Sequence, residues 1–387
     1  MSDGVVSSSA LNSPLPRWIF LQLLEHCNLR CHMCYEWGDS GAYREKTSLK
    51  KLDLDVIKAI IKECEPVRPY YELFGGEPLM YPHIEEVLFA IQRAGSRVHL
   101  PTNGTLLEQM AEMLVATEPD KLWVSLDGPP EINNRQRGEG VFEKAVKGMD
   151  KVHALRSKKG SPYPHIGVGL CVTPTNHLHI EDLFFEALDL GKLDCISLEL
   201  QSYMTQDNHR SYEKVLQQEF GVLTAPLAKG FVANPEQFAD MDFRRIAQQI
   251  AKLSEHCHRA GIYLNTYPKD PSEENIRKYF SADWFSMSRV KKRCSFPWVS
   301  TEINARGDVT SCHAFYDLTL GNVYQSSIGE IWRGEKYVKY RNHLRKKLFP
   351  ICQACCLFYN EKPPEGAREA VQYVSIGEGQ AGHNLVS

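Results

Sequence analysis

An α/β fold built on a parallel sheet is predicted by two observations. Apolar runs of strand length recur along the chain, and stretches with helical spacing lie between them. Repeated strand–helix units place their strands parallel, with right-handed crossovers. The runs predicted as strands are Trp18–Leu24, Tyr70–Phe74, Val98–Pro101, Leu122–Leu126, Ile166–Val172 and Ile196–Leu200.

The intervening helices are predicted from apolar residues that recur on one helical face. They span residues 54–61, 84–91, 142–152 and 183–188. Asp53 is predicted as the N-cap of the first helix. Gly95 and Gly191 are predicted to end the second and the fourth, because glycine readily adopts the left-handed conformation found there. A further helix over Phe243–Ala260 and a short strand Ile262–Thr266 follow.

Length, charge and cysteine content narrow the class of protein. The 387 residues, 43% of them hydrophobic, suffice for one large α/β domain and a smaller one. The net charge of −3 and the absence of a basic run argue against nucleic-acid binding, and no apolar run is long enough to span a membrane. Twelve cysteines without a signal peptide favour metal or catalytic use over disulfides, and hence a reducing cytoplasm.

Three cysteines lie on one short loop directly after the first predicted strand: Cys27, Cys31 and Cys34. Closely spaced thiolates are typical ligands of iron–sulfur clusters, which usually take four of them. A loop with three would leave the fourth iron of a cubane cluster open to a ligand. The alternative is a zinc site or a redox pair made from Cys31 and Cys34.

Polar and glycine-rich motifs follow the next three strands. Gly75, Gly76, Glu77 and Pro78 follow the second strand, Asn103 follows the third, and Ser125 and Asp127 end the fourth. Ligands of parallel α/β folds bind at the carboxyl ends of strands, so these groups are predicted to face one site. The alternative is that Asn103 and Asp127 only cap the following turns.

A second cysteine set follows in the last third of the chain. Its members are Cys294, Cys312, Cys352 and Cys355, and Cys356 is an alternative to Cys355. Residues 303–309 between them read as a hairpin that turns at Gly307. Four cysteines can hold a metal, and a structural zinc ion is one reading of this set.

Together these motifs resemble the radical S-adenosylmethionine (SAM) superfamily. Cys-x3-Cys-x2-Cys followed by Gly-Gly-Glu-Pro resembles its signature, and Cys-x12-Gly-x4-Cys with Leu320–Val323 resembles its C-terminal SPASM/Twitch extension. The resemblance implies a partial (β/α)6 TIM-like barrel with a small SPASM/Twitch iron–sulfur domain. The predicted division is a disordered N-terminus over 1–15, the barrel over 16–270, the SPASM/Twitch domain over 271–360 and a tail over 361–387.

The resemblance also implies cofactors and ligand roles. Cys27, Cys31 and Cys34 would hold the cluster that binds SAM, and the second set would hold one auxiliary 4Fe–4S cluster. The groups expected to contact SAM are Gly75, Gly76, Glu77, Pro78, Asn103, Ser125, Asp127 and Arg137. The chain departs from the pattern of this family at two places. Met33 stands where the family commonly has an aromatic residue, and the His-Asp pair that is usual near Arg137 is missing.

The expected activity is that of a radical SAM oxidoreductase on a polar small molecule, a sugar or aminocyclitol that is dehydrogenated or epimerised. The alternative is a maturase of a ribosomal peptide or protein, for which a first strand near residue 18 leaves little room for a preceding recognition domain. A flavodoxin- or ferredoxin-type protein is the expected electron donor. Glu199, Gln201 and Tyr203 are candidate substrate contacts, and Cys171 and Cys195 are candidate hydrogen-atom donors. The irregular segment 202–240 is predicted as either a lid or a surface excursion. A third alternative, a non-enzymatic metal protein, would give the strand-end motifs no role.

Overall fold

A ten-stranded sheet forms the centre of the computed structural model, which describes residues 13–288, 290, 294–310 and 317–359. The strands are β1 (Trp18–Gln22), β2 (Tyr70–Phe74), β3 (Arg97–Thr102), β4 (Lys121–Ser125), β5 (His165–Val172), β6 (Cys195–Leu200), β7 (Tyr263–Tyr267), β8 (Ser300–Ile303), β9 (Asp308–Thr310) and β10 (Gly321–Asn322). Strands β1 to β7 pair parallel in chain order. Strand β8 pairs parallel with the other edge of β1, and β9 and β10 continue antiparallel.

Helices cover the outer face of the sheet. They are α1 (Leu54–Cys64), α2 (Ile84–Arg93), α3 (Leu107–Thr117), α4 (Pro130–Arg137), α5 (Val141–Lys159), α6 (Gln206–Val215), α7 (Phe243–Ala260), α8 (Glu273–Phe280), α9 (Ile328–Arg333) and α10 (Glu335–Lys346). In the described part of the chain, no helix is both long and apolar enough to cross a membrane.

The two faces of the strands differ in their exposure. Outward residues such as Ile19 and Leu21 are completely buried beneath helices, whereas the inward neighbours Phe20, Glu72 and Glu199 are only partly buried. Because successive side chains of a strand point to opposite faces, this alternation leaves an accessible interior on the concave side of the sheet.

The predicted fold class is confirmed, and the structure adds strands to it. The six strands predicted first all form, with bounds that differ by a few residues. The short strand predicted over Ile262–Thr266 forms as β7, which extends their parallel run by one. The helix predicted over 183–188 is instead a short π-helical turn, Asp182–Ala187. Asp53 does lie at the N-cap of α1, but its side chain makes no capping hydrogen bond.

The segment 202–240 is more regular than its sequence suggested. It contains α6, whose first turn is capped reciprocally by Thr205 and Asn208. Its aromatic side chains are buried, and Phe231 stacks on Tyr35 of the cysteine loop with ring centroids 4.5 Å apart. This packing places the segment beside the carboxyl ends of the strands.

Candidate active site

The cysteine loop after β1 brings Cys27, Cys31 and Cys34 together at the carboxyl end of the sheet. Each sulfur lies near a donor. The backbone N–H groups of Leu29 and Trp37 donate to Cys27 Sγ and Cys34 Sγ at 3.4 Å, and Arg137 Nη1 lies 3.9 Å from Cys31 Sγ. N–H groups directed at sulfur stabilise thiolates, the form that binds metal.

The electrostatics of this loop fit a metal cluster. Burial, together with the charges of Glu77, Cys31 and Cys34, raises the pKa of Cys27 to about 12, and burial raises that of Cys34 to about 11. Three thiolates in such a place require a cation to compensate their charge. Among the described residues, no three side chains of His, Cys, Asp or Glu are placed to hold a single metal ion. In a cubane cluster each thiolate binds a different iron, so the three thiols of this loop could supply one ligand to each of three irons.

The Gly-Gly-Glu-Pro loop after β2 is bonded to the cysteine loop. The backbone N–H of Glu77 donates to the carbonyl of His26 at 2.8 Å, directly before Cys27. Gly76 has a φ of +47°, and a Cβ there would lie 1.8 Å from the same His26 oxygen. Glycine is therefore required for both conformation and space.

Replacing Gly76 by alanine is expected to displace this loop, because the added methyl group overlaps the His26 carbonyl. The affinity for SAM should fall about tenfold or more, roughly 1.4 kcal/mol. Calorimetric titration of SAM into the anaerobically reconstituted protein measures it. Gly140→Ala is the matched control, since Gly140 has a φ of +69° with nothing within 4 Å. Equal losses in both variants would show that backbone strain alone is responsible.

The Glu77 side chain is almost fully buried and is bonded within the protein. Its Oε1 accepts from Thr102 Oγ1 at 2.7 Å and from the Leu79 N–H at 3.1 Å, and its Oε2 accepts from the Asn103 N–H at 2.7 Å. Burial raises the pKa of Glu77, and these bonds oppose the shift. Glu77 thus fastens its loop to the end of β3, and its contact with the SAM amino group remains a prediction.

Asp127 and Arg137 form an ion pair beneath the cysteine loop. Arg137 Nε donates to Asp127 Oδ2 at 2.6 Å, and the Cys171 N–H donates to Asp127 Oδ1 at 2.9 Å. Asp127 is fully buried, and its charge and that of Cys31 raise the pKa of Arg137 against the effect of burial. These bonds therefore join the end of β4 to β5, and the positively charged Arg137 guanidinium lies near the cysteine loop.

Arg137→Met is expected to lower the free energy of unfolding by about 3–5 kcal/mol, because it leaves the buried Asp127 carboxylate without its cation. Anaerobic urea denaturation measures the loss. The double variant Arg137→Met with Asp127→Asn should recover part of it, since the uncompensated charge is then removed. Strictly additive effects of the two changes would contradict the pairing.

The remaining predicted SAM contacts lie at the same edge. Asn103 Nδ2 donates to Asn28 Oδ1 at 2.8 Å and lies 4.0 Å from Cys27 Sγ, so it joins the end of β3 to the cysteine loop. Ser125 is the last residue of β4 and is partly exposed on the inner face. Pro78 is buried and begins a short helical turn after Glu77. These contacts thus join Asn103 to the cysteine loop, and the contact of these groups with SAM remains a prediction.

The second cysteine set is described in part, because Cys312 lies outside the described residues. Burial raises the pKa of Cys352 far above its ordinary range, and the charges of Cys294 and Cys355 raise it further. These three thiols therefore lie close together, as a shared cluster would require. The Cys356 thiol interacts with Cys355 and also with Glu199 and Glu72 inside the barrel.

The predicted substrate residues lie in different environments. Glu199 is on the inner face of β6, next in register to Cys171 of β5, and Gln201 follows at the strand end. Tyr203 instead packs in the core, where its hydroxyl donates to the Tyr279 carbonyl at 2.9 Å. Its predicted substrate contact is therefore not supported by its position.

The two predicted hydrogen-atom donors are far apart along the sheet. The pKa of the Cys171 thiol is affected by the charges of four neighbours, Asp127, Glu199, Arg137 and Cys34. Cys171 therefore lies between the cysteine loop and the barrel interior. Cys195 begins β6 and is buried, four residues before Glu199 and about 13 Å along the strand. The structure therefore brings Cys171, and not Cys195, to the candidate site.

Some residues of the site were missed by sequence reasoning. Glu36 is buried, with its pKa raised to about 7, and its carboxylate accepts from Gln22 Nε2 at 2.7 Å. Arg306 of the hairpin before β9 binds both oxygens of buried Glu25, at 2.9 and 3.1 Å. The C-terminal hairpin therefore supports the start of the cysteine loop. The available signal was a carboxylate two residues before Cys27 and another two residues after Cys34.

Comparison with known proteins agrees with this geometry. Residues 21–185 match the model of the radical SAM superfamily, and residues 294–356 match that of SPASM, an iron–sulfur cluster-binding domain. The tungsten-containing aldehyde ferredoxin oxidoreductase cofactor-modifying protein of Pyrococcus furiosus is 22% identical over 88% of this chain and 87% of its own. The mycofactocin maturase MftC of Mycobacterium tuberculosis is 28% identical over 42% of this chain and 39% of its own.

Solved structures share the fold. SuiB of Streptococcus suis, bound to S-adenosylmethionine, superposes with a TM-score of 0.59 at 16% identity, over 85% of this chain and 68% of that one. Another structure of SuiB holds the precursor peptide SuiA. The AdoMet-bound anSMEcpe superposes with a TM-score of 0.57 at 16% identity, over 92% of this chain and 99% of that one.

Proposed function

Because this chain belongs to the radical SAM superfamily and carries a C-terminal SPASM domain, we propose that it is an oxidoreductase acting on a polar small molecule. A radical SAM domain binds SAM and a 4Fe–4S cluster, and a SPASM domain binds auxiliary iron–sulfur clusters. When bound, SAM and its cluster would supply the radical chemistry that removes hydrogen from an unactivated C–H bond. The protein supplies position and excludes water.

Different residues at the strand ends would bind the clusters and SAM. Cys27, Cys31 and Cys34 would hold the first cluster, and Cys294, Cys312, Cys352 and Cys355 would hold an auxiliary one. Gly75 and Gly76 let backbone approach SAM closely, and Glu77 keeps their loop on β3. Arg137 would offer its charge to the SAM carboxylate, while Asn103 and Ser125 would contact the methionine and ribose portions.

The inner face of the sheet carries the proposal for the substrate. Glu72 of β2 and Glu199 of β6 are partly buried on this face, and Glu199 pairs in register with Cys171 of β5. Carboxylates there suit a compound rich in hydroxyl or amino groups. The relative aligned over 88% of the chain is named for modifying a cofactor, and cofactors are small molecules.

The second candidate function is the maturation of a ribosomal peptide. It is favoured by the partial match to a mycofactocin maturase and by the fold shared with SuiB, which binds a precursor peptide. In both functions a flavodoxin- or ferredoxin-type protein would be the electron donor.

Anaerobic reconstitution tests the proposed activity. The protein should bind about eight irons, two cubanes of four each, and reduction in the presence of SAM should yield 5′-deoxyadenosine. An iron content near four would contradict the auxiliary cluster. The substrate class is tested with the low-molecular-mass fraction of a cell extract, before and after proteinase K. Stimulation of 5′-deoxyadenosine formation that survives the protease favours the small molecule, and stimulation that is lost favours a peptide.

A further inference from the structure

Helix α10, which leads into the second cysteine set, presents positively charged side chains to solvent. We propose that this surface of α10 is the docking site for a small acidic protein that carries single electrons, as flavodoxins and ferredoxins do. The inference rests on the proposed function, because it names where the electron donor that this function requires would bind.

The solvent side of α10 is defined by helical spacing. Lys339 and Lys346 are two helical turns apart, and Asn342 lies between them, so these side chains follow one line along the helix. Val338 and Arg345 have the same spacing and form the neighbouring line. All five are exposed, whereas the opposite side of the helix is buried in the core. These five residues are called the basic face below.

The three cations of the basic face form no ion pair with any of the described residues. The ion pairs of this region are made instead by His343 and Lys347, which contact Glu219 at 2.5 and 3.1 Å. The acidic residue of α10 itself, Glu335, is in the first turn, at the far end of the helix from two of the cations. Because the whole chain has a formal net charge of −3, this concentration of positive charge is a local feature. Such a patch attracts and orients an acidic protein.

The cations of the basic face are held by aromatic rings, which leave their charge available. The Arg345 guanidinium carbon lies 5.7 Å from the centroid of the Trp298 ring, and Lys339 Nζ lies 5.4 Å from that of Phe220. Val338 is 44% exposed and adds an apolar contact among the charges. An apolar centre within polar surroundings is typical of a protein interface.

Helix α10 is also fastened to both segments that carry the second cysteine set. Arg341 Nε donates to the Pro297 carbonyl at 2.9 Å, three residues after the first cysteine of the set. Phe349 stacks on Tyr340 with ring centroids 5.4 Å apart, and the Cys352 N–H donates to the Phe349 carbonyl at 3.0 Å. A protein bound to the basic face would therefore lie beside the segments that are proposed to hold the auxiliary cluster.

An electron-carrying partner accounts for both features of this surface. Its acidic groups match the charge of the basic face, and its task explains the position, since electron transfer between proteins requires redox groups that lie near each other. A nucleic acid or an anionic membrane would account for the charge alone. Interfaces of electron-transfer proteins are small and transient, and they depend on ionic strength, which fits a face two helical turns long.

The test measures the binding of a flavodoxin to the anaerobically reconstituted holoenzyme by biolayer interferometry, at low and at physiological ionic strength. The test variant replaces the three cations of the basic face: Lys339→Gln, Arg345→Gln and Lys346→Gln. The control variant replaces three exposed lysines of α5, which changes the net charge equally: Lys144→Gln, Lys147→Gln and Lys158→Gln. Binding should weaken as salt rises, and the test variant should lower the association rate constant about tenfold or more, whereas the control should bind as the unchanged protein does.

Cross-linking with a carbodiimide then locates the partner, because this reagent joins carboxylates of the flavodoxin to lysine amines. Peptide mass spectrometry should find Lys339 and Lys346 among the cross-linked residues. Equal losses of binding in the two triple variants, or cross-links confined to other lysines, would overturn the docking site. Iron content measured on every variant excludes loss of the fold as the cause.

Two further results separate the alternatives. Binding of anionic phospholipid vesicles or of a short DNA duplex with the same dependence on the basic face would overturn the choice of partner. If 5′-deoxyadenosine forms with dithionite as the reductant but flavodoxin does not bind, the docking site fails and the proposed function stands. If flavodoxin binds at the basic face but 5′-deoxyadenosine never forms, the proposed function fails and the docking site stands.

Discussion

Cys31→Ala is expected to lose about four of the eight irons and to abolish 5′-deoxyadenosine formation. The three thiolates of the loop each bind one iron, so removing one leaves a cluster without a complete set of ligands. Cys31 is also the sulfur nearest to the Arg137 guanidinium, at 3.9 Å, which links it to the Asp127 ion pair. Colorimetric iron analysis and chromatography of the SAM reaction products measure both effects.

Cys64→Ala is the matched control for this variant. Cys64 ends α1 and is fully buried in the core, so its loss removes a small apolar side chain without touching a cluster. It should keep about eight irons and form 5′-deoxyadenosine. Product formation by Cys31→Ala at the rate of Cys64→Ala would refute the assignment of the cysteine loop.

Local sequence patterns predicted the strands and the loops at their carboxyl ends, because each depends on a few consecutive residues. The spacing of Cys27, Cys31 and Cys34 is a property of one loop. The glycine at 76 reflects a positive φ and a close backbone approach that only glycine permits. Such requirements are imposed locally, and the sequence therefore records them.

The strand residues that face the barrel interior could not be predicted in the same way. Both faces of a parallel strand in this fold are buried or partly buried, so an apolar run does not reveal which residues point inward. Glu72 stands within such a run, between Tyr71 and Leu73. Tyr203 follows the β6 strand end as a substrate contact should, yet the packing of Phe238 and Trp284 draws it into the core. These outcomes depend on contacts between distant segments.

The contact between Arg306 and Glu25 is a second case of this kind. The two residues are 281 positions apart, and they meet because β8 pairs with β1 and carries the hairpin over the start of the cysteine loop. The Glu25 carboxylate is buried, and bonds from Arg306 and Lys46 bring its pKa below the ordinary value despite that burial. A C-terminal cluster domain thereby becomes part of the support of the first cluster site.

Cys352→Ala is expected to separate the two cluster sites despite this connection. The variant should fall to about four irons, since Cys352 is buried against Cys294 and Cys355 and its loss breaks their shared ligand set. The first site keeps its three cysteines and its Asp127–Arg137 pair, so 5′-deoxyadenosine should still form in the absence of substrate. Iron analysis, electron paramagnetic resonance of the reduced protein and product chromatography measure these effects.

Cys356→Ala provides the matched comparison, because it removes a thiol that directly follows the proposed ligand Cys355. It should keep about eight irons. If Cys352→Ala retained both clusters, the auxiliary site would lie elsewhere. If it lost SAM cleavage together with its irons, the two sites would depend on one another through the hairpin contact of Arg306 with Glu25. The electron-accepting role of the second site would then have to be tested with that contact intact.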